Sequence, residues 1–148
     1  MKVPRFVTAF PPISIDYSPR KFQVGEINLL KVSFEIPEGF DIMAHKPSEE
    51  FLVPAELILE SPEGIIVGDP SYPEAKEEKF DWSEITLRIY KGKFDVDVPI
   101  EVAAERSGRL ELHGILSFQG CTENQCLPPK KQDFTLSFDV LKTIGTNP

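Results

Sequence analysis

Four stretches of this chain alternate apolar and polar residues so regularly that they leave little choice of fold. Leu30, Val32, Phe34 and Ile36 are spaced by Lys31, Ser33 and Glu35. Phe94, Val96, Val98, Ile100 and Val102 are spaced by Asp95, Asp97, Pro99 and Glu101. Leu110, Leu112, Gly114, Leu116 and Phe118 alternate with Glu111, His113, Ile115 and Ser117, and Phe134, Leu136, Phe138 and Val140 with Thr135, Ser137 and Asp139. A period of two sends successive side chains to opposite faces of an extended chain. Each run therefore predicts a strand with one face in a core and one more polar face. No run of apolar residues at helical spacing competes with them.

Weaker strand candidates are Ile13 to Tyr17, Phe40 to Ala44, Ala55 to Glu60 and Leu87 to Tyr90. Turn chemistry separates the candidates: Pro37-Glu38-Gly39, Ser61-Pro62-Glu63-Gly64, Lys91-Gly92 and Ser107-Gly108. Seven or more short strands at these spacings predict an all-β fold, an immunoglobulin-like antiparallel β-sandwich. The Cys–Trp–Cys spacing of antibody domains is absent. At 148 residues and 41% hydrophobic content, the chain has the size of one domain over 1–148, with its core over about 10–142.

The formal charge of −8 comes with scattered Lys and Arg and no basic stripe, which argues against a nucleic-acid partner. No apolar run approaches the ~20 residues of a membrane-spanning helix, so this chain is not expected to insert in a membrane. Met1-Lys2-Val3-Pro4-Arg5 lacks the apolar stretch of a signal peptide. The expectation is either a cytosolic protein or one whose leader was removed before Met1.

Both cysteines lie in one turn over 119–129: Gln119-Gly120-Cys121-Thr122-Glu123-Asn124-Gln125-Cys126-Leu127-Pro128-Pro129. The turn follows the predicted strand that ends at Phe118, with Gly120 expected to let the backbone bend. Pro128 and Pro129 are expected to delay strand pairing after it. Three uses of the pair stay open on spacing alone. An inert disulfide would close a short loop, stabilising by ~2 kcal/mol. A redox pair would exchange with a partner disulfide, one thiolate attacking and the neighbouring thiol resolving the mixed disulfide. A metal site would need two further ligands, for which His45 and His113 are the candidates. The thioredoxin arrangement, with two intervening residues ahead of a helix, is not present. No serine-nucleophile elbow, phosphate loop or cysteine-protease signature occurs either.

The segment 69–83 is rich in Pro, Glu and Lys and reads as a long loop ending in Phe80-Asp81-Trp82. Long loops in compact β-domains are often functional. Phe80 and Trp82 either pin this loop to the sandwich or cover a reactive site.

The cysteine turn and its flanks resemble a known family. Phe118-Gln119-Gly120-Cys121 and Cys126-Leu127-Pro128-Pro129 look like the active-site segment of the N-terminal domain of the thiol:disulfide interchange protein DsbD. Glu38 to Ser48, Phe51 to Leu57, Tyr72 to Phe80, Tyr90-Lys91-Gly92 and Val98-Pro99-Ile100 extend the likeness over roughly 23–140. The resemblance implies an immunoglobulin-like domain in the bacterial periplasm that needs no bound cofactor. It implies a cysteine pair that takes electrons from a thioredoxin-like domain, itself supplied by a membrane domain of the full-length protein. That pair would reduce periplasmic acceptors, including disulfide isomerases and cytochrome-maturation thioredoxins. By resemblance Cys126 forms the mixed disulfide and Cys121 resolves it. A loop phenylalanine caps the pair in the family; Phe80 is the best match and Trp82 the second.

Overall fold

In a computed structural model, residues 10–142 form twelve strands, β1 to β12, arranged as three four-stranded sheets. The first sheet runs in the order β1 (Ser14–Ser18), β3 (Ile27–Glu35), β9 (Lys93–Val102), β6 (Ile65–Val67). The second runs β2 (Lys21–Gln23), β12 (Lys130–Leu141), β10 (Gly108–Phe118), β5 (Glu56–Leu59). The third runs β11 (Gly120–Cys121), β4 (Asp41–Met43), β8 (Leu87–Lys91), β7 (Lys76–Glu78). The fold is an immunoglobulin-like β-sandwich. Every pairing is antiparallel except β12 with β2, which is parallel.

The alternating runs form the long strands because their apolar faces meet. Leu30, Val32 and Phe34 of β3, Val96, Val98 and Ile100 of β9, Leu110, Leu112 and Leu116 of β10, and Leu136 and Phe138 of β12 are buried in one cluster. Phe138 stacks on Phe22 at 4.1 Å between ring centroids and meets Tyr17 edge-on at 5.3 Å. The Tyr17 hydroxyl donates to the Ser137 carbonyl at 2.9 Å and accepts from the Ser137 N–H at 3.0 Å, so β1 of one sheet is tied to β12 of the other.

Pro99 lies inside β9, which has neighbours on both sides. It is tolerated because the β6 ladder on its other edge covers only Ile100, Glu101 and Val102. Beyond that ladder the Pro99 carbonyl accepts from Gly68 N–H at 2.8 Å, and Ser71 bridges Asp97. The missing N–H thus falls between two pairings rather than within one.

The third sheet positions the cysteines. Its pairings place Ile42 opposite Tyr90 and Gly120, and put Cys121, Asp41 and Lys91 on one level across three strands. Side chains directly opposite one another share a face. Ile42 and Tyr90 point into the sandwich core, whereas Met43, Leu87, Ile89 and Cys121 form a second cluster on the opposite face, with Leu52 and Phe80.

The segment 69–83 is less irregular than its composition predicts, since it contributes β7, a strand made of Lys76, Glu77 and Glu78. An edge strand needs only backbone pairing, and charged side chains suit its exposed position. Strands β2, β6 and β11, of two or three residues, are likewise too short to announce themselves by periodicity.

Candidate functional site

The cysteine turn grows directly out of the rigid β10–β12 ladder. After Phe118, the Gln119 carbonyl accepts from Met43 N–H at 2.9 Å, and Gly120 and Cys121 continue as β11 along β4. Gly120 does not serve as a backbone hinge: its φ is not among the positive values found at five other glycines. It is small because Phe10 lies against it. A Cβ there would sit 2.1 Å from the Phe10 ring, which also packs edge-on against Phe118 and Phe40.

The loop folds back on itself through Thr122. Its hydroxyl oxygen accepts from Asn124 N–H at 3.1 Å and Gln125 N–H at 3.2 Å, and Thr122 N–H donates to the Gln125 carbonyl at 2.7 Å. Leu127 N–H returns to the Gly120 carbonyl at 2.8 Å. Gln119 clamps both sides: its side-chain oxygen accepts from Val53 N–H at 3.0 Å, and its amide nitrogen donates to the Leu127 carbonyl at 3.3 Å. Pro128 and Pro129 bridge to Lys130, where pairing with Phe118 opens β12. The turn is therefore fixed by hydrogen bonds through Gln119, Gly120, Thr122 and Leu127 between two strands.

Within it Cys121 and Cys126 form a disulfide, their Cα atoms 3.9 Å apart across an isolated β-bridge. The two sulfurs have different surroundings. Cys121 is fully buried, with an exposure of 0%. Cys126 is half-buried and lines a cleft of about 340 Å³ with Phe51, Leu52, Trp82, Ile85 and Leu87. Phe51 at the rim is 75% exposed.

Phe80 belongs to the apolar cluster that includes Cys121 and against which Cys126 packs, and it is 7% exposed. Trp82, 37% exposed, stacks on Phe80 at 5.2 Å and lines the Cys126 cleft. Both sequence-selected aromatics thus lie at the disulfide, Phe80 inside the cluster and Trp82 at its edge. The short turn that carries them is closed by Ser83 N–H donating to the Phe80 carbonyl at 3.1 Å and by Lys79 Nζ, which contacts the Phe80 and Ser83 carbonyls.

Sequence reasoning overlooked Asp41. Its carboxylate is buried on the Cys121 face, with Lys91 Nζ 3.3 Å from Oδ1 and Glu78 Oε1 3.6 Å from the same ammonium. The Lys91 contact is an ion pair without hydrogen-bond alignment, and Oδ1 accepts no hydrogen bond. Burial pushes the Asp41 pKa above the ordinary carboxylate value, with Lys91 pulling the other way. The Lys91 pKa is raised: burial lowers it, and Asp41 and Glu78 together outweigh burial. One signal was available: Asp41 is the lone charge within the apolar run Phe40-Asp41-Ile42-Met43-Ala44. Leu52 and Phe51 carried no such signal, since they lie in a loop between strands.

The two histidines stand elsewhere. His113 on β10 faces Glu60 at 3.2 Å and Asp133 at 3.9 Å. His45 stacks on Tyr72 at 3.7 Å, shares its Nδ1 with the Ala55 carbonyl at 2.9 Å, and lines a separate cleft of about 760 Å³ with Tyr90 and Arg88. Among the described residues no three His, Cys, Asp or Glu side chains gather as a metal site.

Comparison with known families matches the chain over residues 17–137 to the family described as "Thiol:disulfide interchange protein DsbD, N-terminal". Comparison with curated proteins gives no match. Among solved structures, the reduced DsbD N-terminal domain of Neisseria meningitidis is 22% identical, with a TM-score of 0.48 over 74% of this chain and 77% of that one. The complex between the DsbD and PilB N-terminal domains of the same organism matches at 21% identity and a TM-score of 0.49, over 72% of this chain and 73% of that one. The N-terminal periplasmic domain of ScsB from Proteus mirabilis shares the fold at a TM-score of 0.52 and 15% identity, covering 84% of this chain and 45% of that one.

Proposed function

The chain belongs to the family of N-terminal domains of the thiol:disulfide interchange protein DsbD, and from that membership we propose that it is a periplasmic thiol–disulfide exchange module working through Cys121 and Cys126. It takes electrons from a thioredoxin-like donor and passes them to disulfides of thioredoxin-fold acceptors, with no cofactor. In a full-length protein it is joined to the membrane domain that feeds the donor.

One observation carries the division of labour: a single sulfur is within reach. Cys126 opens on a cleft and Cys121 is enclosed. A partner thiolate meets Cys126 first, and Cys121 is the leaving and resolving sulfur. The apolar rim of Phe51, Trp82 and Ile85 gives a partner surface to bury around the point of attack. Phe80 acts as the cap that shields the pair until that partner docks. The hydrogen-bonded turn holds the two sulfurs in register through the reduced state, so reoxidation needs no search.

The test is to trap the partner. Cys121→Ser, reduced and mixed with an oxidised thioredoxin-fold protein, is expected to accumulate a mixed disulfide through Cys126. Cys126→Ser is expected to yield none and to lose transfer while keeping its fold by circular dichroism. Full transfer by Cys126→Ser would overturn the role assignment. A reduction potential far below ~−300 mV would instead favour an inert structural bond.

A further inference from the structure

Resting on the exchange reading, we propose that Asp41 is the proton carrier for the buried sulfur of Cys121. The juxtaposition is set by the backbone. Asp41 and Cys121 are directly paired residues of β4 and β11, so their side chains leave the sheet on the same face, with Cβ atoms roughly 5 Å apart. Otherwise Cys121 belongs to an apolar cluster with Met43, Leu52, Phe80, Leu87 and Ile89. A thiolate released there would be a bare charge in an apolar pocket, which is costly unless it is neutralised.

The alternatives within the turn are committed. The Thr122 hydroxyl is held by Asn124, Gln125 and the Gln125 carbonyl. Lys91, across Asp41 on β8, keeps its proton, with Glu78 of β7 on its other side. Asp41 also has a route to water: it lines a cleft of about 380 Å³ with Glu78, Lys79, Asp81, Lys91 and Glu123. These are the charged groups that face it from β7, from the Phe80 turn, from β8 and from the cysteine loop.

A partner thiolate attacks Cys126 Sγ, the Cys121–Cys126 bond breaks, and its electron pair goes to Cys121 Sγ, which takes the proton of the Asp41 carboxyl. The partner's second thiol, as thiolate, then attacks the mixed disulfide, leaves oxidised, and frees Cys126 as a thiolate that takes its proton from water. Asp41 regains a proton through its cleft. Run in reverse, Asp41 carboxylate removes the Cys121 proton as that sulfur resolves the mixed disulfide. The neighbouring Lys91 cation keeps the carboxyl from remaining permanently protonated, so it both gives and takes.

The experiment follows reduction of the full chain by dithiothreitol from pH 4 to 9, with each rate constant divided by the reductant's thiolate fraction. The native protein is expected to lose rate as pH rises through the Asp41 titration, by roughly a hundredfold or more. Asp41→Asn is expected to be flat and slow throughout. Lys91→Met is expected to move the break to higher pH, because Lys91 lowers the Asp41 pKa. A flat native profile, or an unchanged profile in Asp41→Asn, overturns the assignment to Asp41 alone. Failure of the native protein to react with either dithiothreitol or a reduced thioredoxin-fold protein overturns the exchange reading with it. Should Asp41→Asn not fold, the native and Lys91→Met profiles decide.

Discussion

The sandwich and the disulfide shelf use the same β-structure to opposite ends. In the sandwich, β10 and β12 pair over eleven registered positions, and apolar side chains from two sheets close on one another. On the shelf, strands of two to five residues and two loops bring together six buried side chains, with the buried carboxylate of Asp41 and the half-exposed Lys91 paired at their edge. The first arrangement buries its apolar faces along long, continuous ladders. The second is held to the first by the Ile42 and Tyr90 face, while Leu52, Cys126 and the Phe80 turn close its other face. A reactive pair needs both: a frame that fixes the sulfurs and a cover thin enough to yield to a partner.

The shelf is not independent of the sandwich if damage to the frame alters its chemistry. Phe138→Ala removes a fully buried ring stacked on Phe22 and is expected to cost about 3–5 kcal/mol. Urea unfolding should report that loss. At a temperature where the variant is still folded, its rate of reduction by dithiothreitol should match the native rate. A large change in that rate would mean that the shelf is not mechanically separate.

The same contrast explains what could be read before folding. The sandwich was legible because its strands are long enough for a period of two to show, and because apolar contact between sheets enforces that period at Val32, Val98, Leu112 and Phe138. The cysteine pair was legible because the chain has no other cysteines, and its flanks marked the family. The rest of the shelf is assembled from Asp41 and Met43, Leu52, Phe80, and Leu87 and Ile89, which lie on separate segments of the chain. No local pattern ties such residues together. Gly120 shows the same limit from another side: its sequence position suggests a hinge, whereas the demand on it comes from Phe10, distant in the chain and adjacent in space.

A smaller effect is expected at the cover. Phe80→Ala removes a buried ring from the edge of the molecule, where the Trp82 turn can partly collapse. The cost in stability should therefore be about 1–2 kcal/mol, below that of Phe138→Ala. Its effect on reactivity should be the larger readout. With the pair reduced, alkylation by iodoacetamide is expected to accelerate severalfold. An unchanged rate would make Phe80 an anchor of its loop rather than a cap, and the shelf would then be as closed as the sandwich.

The smallest effect tests the shelf's buried charge without any thiol chemistry. The native-state pKa of Asp41 is raised by burial, so the folded protein keeps this proton over a pH window in which the unfolded chain has released it. Stability from this group must then fall as pH rises from the unfolded carboxylate value, near 3.8, through the higher folded value. The amide of Asp41→Asn has no such proton to lose, so the variant should gain on the native protein across that window. The gain is measured on the oxidised forms by thermal unfolding, as a rise in the Tm of Asp41→Asn relative to the native protein with increasing pH. The reverse trend, with the native protein gaining on Asp41→Asn as pH rises, would mean that Lys91 outweighs burial. Asp41 would then be an anion held by its ion pair, with no proton to give the leaving Cys121 sulfur.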